Sequence, residues 1–554
     1  MSMILPKLCC VLALLLTSFF VSWPHHSLVA QNDTSIKAEL YWVFFADKPN
    51  VHFSAQQNFS AKAIERRIHL NIPFDVFDQP VCASYIDSLR ACGAKIRTTS
   101  RWLNAASIEA VPTALEAISQ LYFINELRAL HPVHSTSAAH ISTCNIPTGK
   151  AQRQLKMLGI DKLHDLGLTG KGVRVAVIDD GFVTVDTHEA FKCMRDEGRL
   201  LGHYDFVNKE DNVFNRGTHG LRVFSVMGTQ WSTEFRGGAP DAEYILLHSE
   251  DGSQESRIEE DYWTAAAEWA DSAGAQLIQS SLVYNTFDDR TTNYTRKDLD
   301  GKTATITRAA QKAASRGILV VNSAGNERSG PWHYILPPSD GDSVCAVGSV
   351  NFRNESSSFS CVGPTYDGRL KPDLVAPGEG VTVVGSDGNA ATGNGTSFSA
   401  PLVSSLAACL MQEFAKIKPM EIIECLRQSA DRAANPDTLV GWGVPNGEKA
   451  KGCLAKITYI NQPLLSIQTG LYPNPANDIL FLDLDTSNVS QQIQIDWYTS
   501  QGACVKSETH TLNPSQTRLY WNVSELQLPS GTYYLHFSTN NQSLWLKPIV
   551  IYQP

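Results

Sequence analysis

Four side chains of complementary chemical type stand in short, mostly glycine-containing segments of this chain. Asp179 ends Val-Ala-Val-Ile-Asp before Asp-Gly, and His219 lies within Gly-Thr-His-Gly. Asn326 closes Asn-Ser-Ala-Gly-Asn, and Ser397 opens Ser-Phe-Ser-Ala-Pro behind Gly395-Thr396. These are the parts that peptide-bond hydrolysis by a hydroxyl requires. A serine can serve as nucleophile, an imidazole as the base that takes its proton, and a carboxylate as the group that orients the imidazole. An amide N–H can receive the negative charge that builds on the carbonyl oxygen. Taken singly each residue has an ordinary explanation: a turn aspartate before glycine, a structural histidine, a turn asparagine, a helix-capping serine. All four together, with their flanking glycines, do not.

The elements that would carry them follow from the hydrophobic pattern. Apolar runs at residues 173–178, 244–247, 276–282, 318–321 and 344–350 alternate with helical stretches at 259–272 and 304–315. Such runs between helices predict a parallel sheet covered on both faces, an α/β fold in which sites form beyond the carboxyl ends of strands. Asp179 and Asn326 fall at such ends. His219 opens a helical segment with Val223, Val226 and Met227 on one stripe. Ser397 starts a helix whose Leu402, Leu406, Leu410 and Phe414 share a face, with Pro401 placed in the tolerant first turn. Asp180, next along the strand from Asp179, points the other way by alternation and is given no catalytic role.

The four segments and their order Asp, His, Ser resemble the subtilase family of serine endopeptidases, over about residues 152–452. Two further stretches add to the resemblance: Lys371-Pro-Asp-Leu-Val-Ala-Pro-Gly378 ahead of the serine, and Ser280-Ser281-Leu282 in the place of the strand that pairs with substrate backbone. The resemblance implies substrate-binding roles for Ser281, Leu282 and Val283. This chain departs from the family pattern at three places. Asp180 stands where many members have Thr or Ser, Leu221 where Thr is usual, and Val283 where Gly usually follows. A side chain at 283 should reshape a subsite wall.

At 554 residues the chain has room for about three to four domains. Residues 1–30 read as a secretory signal, with Lys7 before an apolar run at 8–23 that is shorter than the ~20 residues of a membrane span. Residues 31–148 form an N-terminal α+β unit in the order strand (40–45), helix (81–92), two strands (95–98 and 105–111), helix (112–120), strand (127–133). That order resembles the inhibitory propeptide of subtilases; a permanent accessory domain is the alternative. Residues 134–150 lack periodicity and read as an exposed connection open to proteolysis. Residues 149–455 are the catalytic unit, and 456–554 a linker and a small β-sandwich. Tyr472-Pro-Asn-Pro475, Leu528-Pro-Ser-Gly531 and Lys547 in the last strand resemble the C-terminal sorting domains of type IX secretion cargo in Bacteroidota.

Composition narrows the rest. With 43% hydrophobic and 18% charged residues the chain is an ordered globular protein, and a net charge of −10 is too mild to imply nucleic acid. Of the 12 cysteines, Cys9 and Cys10 belong to the signal. Cys345 and Cys361, on two expected strands (344–350 and 358–361), are close enough in sequence to bridge. Cys82 and Cys92, ten residues apart on one expected helix, are not, and Cys409 and Cys425 read as buried thiols. No Cys/His spacing suits a metal, no cofactor is required, and no acidic loop shows a calcium spacing, which leaves calcium open. The expected partners are protein or peptide substrates and an outer-membrane secretion machinery, without a transmembrane segment once the signal is gone. The competing reading is a catalytically inactive surface-binding protein on the same scaffold. Narrow processing and broad digestion fit the sequence equally.

Overall fold

The computed structural model describes residues 38–49, 51–130, 150–461, 470–483, 491–512, 518–539 and 542–553. The signal-like segment lies outside the described residues. So does the 134–150 connection apart from Lys150, which opens the helix Lys150–Met157.

A seven-stranded parallel sheet forms the centre, in spatial order Leu374–Pro377, Val344–Val350, Leu319–Ser323, Leu277–Ser280, Arg174–Asp179, Glu243–His248, Leu200–Asp205. Its residues alternate between two cores, as a period of two demands. Val175, Val177, Leu246, Leu277 and Val321 enter one, with the helices His219–Gly228 and Thr396–Glu413. Ala176, Ile178, Ile245, Ile278 and Val320 enter the other, with Ile258–Ala273 and Thr305–Ser315. Burial on both faces is why these strands read as continuous apolar runs. Two sheet strands escape the sequence pattern. Leu200–Asp205 is an edge strand with a half-wet face, and Leu374–Pro377 is only 4 residues long. Residues 358–361 are not a strand.

Chain order reverses between Arg174–Asp179 and Leu277–Ser280. This switch point opens a crevice at the carboxyl ends of the two strands, on the side where the His219 and Ser397 helices begin.

The N-terminal unit is a four-stranded antiparallel sheet, with Glu39–Phe45 between Ala105–Ala110 and Ile124–Leu130, and Lys95–Ser100 outside Ala105–Ala110. The helices Ala83–Ala91 and Pro112–Ser119 agree with the sequence reading. A helix at Ala61–His69 does not appear in that reading, because its charged stretch hides the apolar stripe. The sheet lies against Ile258–Ala273 through polar contacts. Ser107 Oγ donates to Asp261 at 2.7 Å, and Ser100 Oγ to Glu268 at 2.6 Å. Arg66, Arg67 and Arg101 all converge on the buried Asp271. Burial alone would raise the Asp271 carboxyl, but the three guanidinium groups outweigh it and hold it below the usual range. Apolar contact adds to these charge pairs: Trp102 enters the core of Ala176, Ile178 and Trp263, and Phe77 packs against it, so the N-terminal unit packs firmly on the catalytic sheet.

Beyond residue 470 two antiparallel sheets enclose a separate core. One pairs Leu471–Tyr472, Ile479–Asp483 and Arg518–Asn522. The other pairs Cys504–Leu512, Gln491–Thr499, Gly531–Thr539 and Gln542–Ile551. Ile493, Ile495 and Trp497 alternate inward to meet Trp521, Leu535 and Phe537. The Glu508 carboxylate accepts both indole N–H groups, from Trp497 at 3.2 Å and Trp521 at 2.6 Å.

Cysteine pairing differs from expectation. Cys425 is not a free thiol: it bridges Cys453, joining the helices Pro419–Ser429 and Gly447–Asn461. Cys345 and Cys361 are both buried and free, as is Cys409; Cys82 is buried and Cys92 half-buried, also unbridged. Among the described residues no helix is long and apolar enough to cross a membrane.

Candidate active site

Asp179 ends its strand fully buried, on the face turned toward the His219 helix. The two segments that bring Asp179 and His219 together touch backbone to backbone, and three glycines permit it. A Cβ on Gly181 would stand 2.5 Å from Arg216 O, one on Gly217 2.0 Å from Asp180 O, and one on Gly220 2.2 Å from Gly181 O. Gly181 and Gly217 also hold φ of 115° and 71°, where side chains are disfavoured. Phe182 N donates to Val213 O at 2.8 Å and Val183 N to Gly217 O at 3.1 Å, which locks the pair of segments.

His219 Nδ1 consequently lies 2.6 Å from Asp179 Oδ1. The same oxygen accepts Asp180 N at 2.9 Å. This contact fixes the Nδ1–H tautomer and leaves Nε2 as the basic nitrogen. Burial would push the imidazolium down; the charge and hydrogen bond of Asp179, followed by the charge of Asp180, outweigh it and lift His219 to about 9. Leu221 sits fully buried in the apolar core, so the departure from Thr there packs the helix instead of hydrogen bonding. Gly220→Ala must force the two segments apart. We expect at least tenfold lower peptidase activity together with roughly 1–3 kcal/mol lower stability, read by steady-state kinetics and urea unfolding.

Ser397 is the second residue of the helix Thr396–Glu413 and is 7% exposed. Pro401 is not in the first turn but inside the helix. Lacking an N–H, it cannot bond the carbonyl four residues back, that of Ser397. Ser281 Oγ takes that place, donating to Ser397 O at 2.9 Å. Ser281 thereby ties the Ser397 segment to the strand Leu277–Ser280, a contact the sequence does not announce.

Asn326 is exposed at the end of the loop following Leu319–Ser323. Its Oδ1 accepts both Thr396 N and Thr396 Oγ1, each at 2.9 Å. With its oxygen engaged, the amide has Nδ2 left to donate. A Cβ built on Gly395 would be 3.4 Å from that nitrogen, so the glycine keeps the space beside it open. Thr396, absent from the sequence-based site, is what orients Asn326.

Ser281, Leu282 and Val283 leave the sheet after Ser280. Asn322 Nδ2 donates to Leu282 O at 3.0 Å. Val283 is half-buried against Leu299, Leu336 and Cys361. Leu336 and Cys361 in turn flank Gly325, the residue before Asn326. Asp179, Asp180 and His219 offer possible ligand atoms within 4.8 Å of one another. Their contacts to each other and to backbone N–H groups already account for this closeness.

A parallel sheet with a carboxylate–imidazole pair and a helix-borne serine at its switch point defines a hydrolase of the serine type. The chain belongs to the subtilase family, whose description matches residues 170–443, and it is a subtilisin-like serine protease. It is 30% identical to Subtilisin Savinase of Lederbergia lenta over 292 residues, covering 52% of this chain and 93% of that protein. It is 27% identical to Serine protease AprX of Bacillus subtilis over 400 residues, 64% of this chain and 81% of the relative. Among solved structures, the epidermin leader peptide processing serine protease of Staphylococcus aureus aligns with a TM-score of 0.53 at 16% identity, over 75% of this chain and 99% of that one. Residues 40–143 match the Bacteroidota propeptide domain of peptidase S8, and 470–552 a secretion-system C-terminal sorting domain. The protein is therefore secreted or placed at the cell surface. Nothing supports the reading as a catalytically inactive binding protein.

Proposed function

We propose that Ser397, His219 and Asp179 act as a triad that hydrolyses peptide bonds in protein substrates, with Asn326 as oxyanion donor. Ser397 Oγ attacks the scissile carbonyl while His219 Nε2 takes its proton, and Asp179 holds the imidazolium. The C–N bond breaks as His219 returns that proton to the leaving amine. Water, deprotonated by the same nitrogen, then releases the acyl group. Asn326 Nδ2 and the Ser397 N–H receive the oxyanion at the positive end of the Thr396–Glu413 helix. The observation that carries this reading is the 2.6 Å contact of His219 Nδ1 with Asp179 Oδ1. Ser281, Leu282 and Val283 would pair with substrate backbone, and the cluster around Val283 would form an apolar subsite wall. No cofactor enters the mechanism.

The N-terminal unit is a propeptide that the enzyme removes itself. A serine-directed phosphonate should label the secreted protein at Ser397. Wild type should carry a new N-terminus within or near residues 134–150, while Ser397→Ala keeps the N-terminal unit. Labelling elsewhere, or equal processing in both, would refute the assignment.

The C-terminal sandwich serves as a folded address read by the outer-membrane machinery. Its core is separate from those of the catalytic sheet. Truncation near Leu465 should therefore leave an active enzyme that stays in the periplasm, measured by activity in cell fractions. Normal levels of the truncated enzyme outside the cell would contradict the role.

A further inference from the structure

Asp180 does not point away from the site as strand alternation requires, because the strand stops at Asp179 and the chain turns at Gly181. Its Oδ1 accepts Gly220 N at 2.7 Å and its Oδ2 accepts His219 N at 3.2 Å. These are first-turn N–H groups of the helix His219–Gly228, which have no partner within a helix. Thr218, the local capping residue, makes no side-chain cap. Asp180 supplies the cap from a different element, 40 residues away along the chain from Gly220. A carboxylate there is also favoured by the helix dipole.

We propose that Asp180 is a positioning residue of the catalytic set: it seats the His219 helix against Asp179 and holds a second negative charge beside the imidazole. A neutral Ser or Thr at this place could cap but could not supply the charge. Burial, followed by the charge of Asp179, raises the Asp180 carboxyl above its usual value, while the His219 imidazolium and the N–H groups of Gly220 and His219 favour its charged form. Arg222, on the His219 helix, acts in the opposite sense on the imidazole. Across a cavity of about 390 Å³ Asp180 meets Arg216, His248, Glu250 and Asp251. Arg216 is engaged by Glu210 at 3.1 Å and Asp205 at 3.7 Å. His248 is held 2.9 Å from Asp205. Burial pushes Glu250 up to about 8, so it adds its charge only in alkaline solution. Asp251 keeps a low carboxyl pKa: burial opposes this, but its hydrogen bonds from Ser253 and Gln254 prevail.

The consequence is a base that frees its Nε2 lone pair late. Below about 9 the imidazole is protonated, and kcat/KM should climb with pH until it loses that proton. Removing the Asp180 charge weakens the hold on the proton, so the acid limb moves down. We expect Asp180→Ser to shift the limb of kcat/KM down by about one pH unit, with plateau kcat lowered severalfold because one hydroxyl can cap only one of the two N–H groups. Asp180→Ala should shift the limb equally and lower the plateau about tenfold further. The pH dependence of phosphonate inactivation of the secreted enzyme gives the same limb without a peptide substrate. An unchanged or raised limb in Asp180→Ser would overturn the proposal, whatever the plateau. The inference rests on His219 being the base. Failure of that reading would appear separately, as an active His219→Ala enzyme.

Discussion

Ser397→Ala should lower kcat by about 10⁵–10⁶-fold, to a level set by substrate binding and the oxyanion donors alone. The effect is this large because no other group in the crevice can form the acyl-enzyme. His219 without the hydroxyl can at best activate water. The side chain is small and its helix is held by Ser281 and Asn326 through the backbone of residues 396 and 397, so folding should be unaffected. The check is single-turnover hydrolysis of a peptide anilide alongside thermal unfolding. Activity within a hundredfold of wild type would remove Ser397 from the mechanism.

Asn326→Ala should cost about 10²–10³ in kcat with little change in KM, because the amide strengthens its bond only as the oxyanion forms. A second, smaller effect follows from the contacts of its oxygen. Thr396 N loses its acceptor, which is the loss of a helix cap and costs about 1 kcal/mol of stability. The kinetic loss is worth about 2.7–4 kcal/mol, so the two can be told apart: unfolding shifts slightly while turnover falls steeply. Equal losses in kcat and stability would mean that Asn326 acts only as a cap for the Ser397 helix.

The acid limb of the pH profile ties the residues around His219 together. His219, Asp179 and Asp180 form one hydrogen-bonded cluster across two segments. Changes at Gly220 and Asp180 should therefore act on different observables. Gly220→Ala displaces the imidazole and lowers activity at every pH. Asp180→Ser leaves it seated and moves the pH at which it works.

Asp179, His219, Asn326 and Ser397 were legible in the sequence because each sits in a short segment whose neighbours serve it locally. Gly220 and Gly395 make room, and the apolar stripe of each helix or strand tells which way the element is buried. The five inner strands were legible for a related reason: burial on both faces leaves few polar positions to break the run, Gln279 and Asn322 among them. Local pattern also marked the β-sandwich, whose strands alternate between core and water. The same reasoning failed where an element ends. Asp180 was assigned to the far face by a period of two that no longer applies once the strand ends at Asp179 and the chain turns at Gly181. Pro401 was placed one turn too early, and with it went the reason for Ser281, whose hydroxyl replaces the bond that the proline cannot make.

Other features belong to the tertiary structure because their partners are far apart in the chain. Cys425 meets Cys453 only because two helices pack side by side, and no periodicity in either helix encodes that. Asn326 is oriented by Thr396, 70 residues later, and the Asp271 carboxylate is held by arginines some 200 residues earlier. Side-chain type and local period therefore determined which groups could do chemistry, and on what kind of scaffold. Which oxygen faces which N–H, and hence where the base titrates, was decided only when folding brought the separate segments within 3 Å of one another. Hydrogen bonds and charge interactions depend on distances that a sequence does not contain.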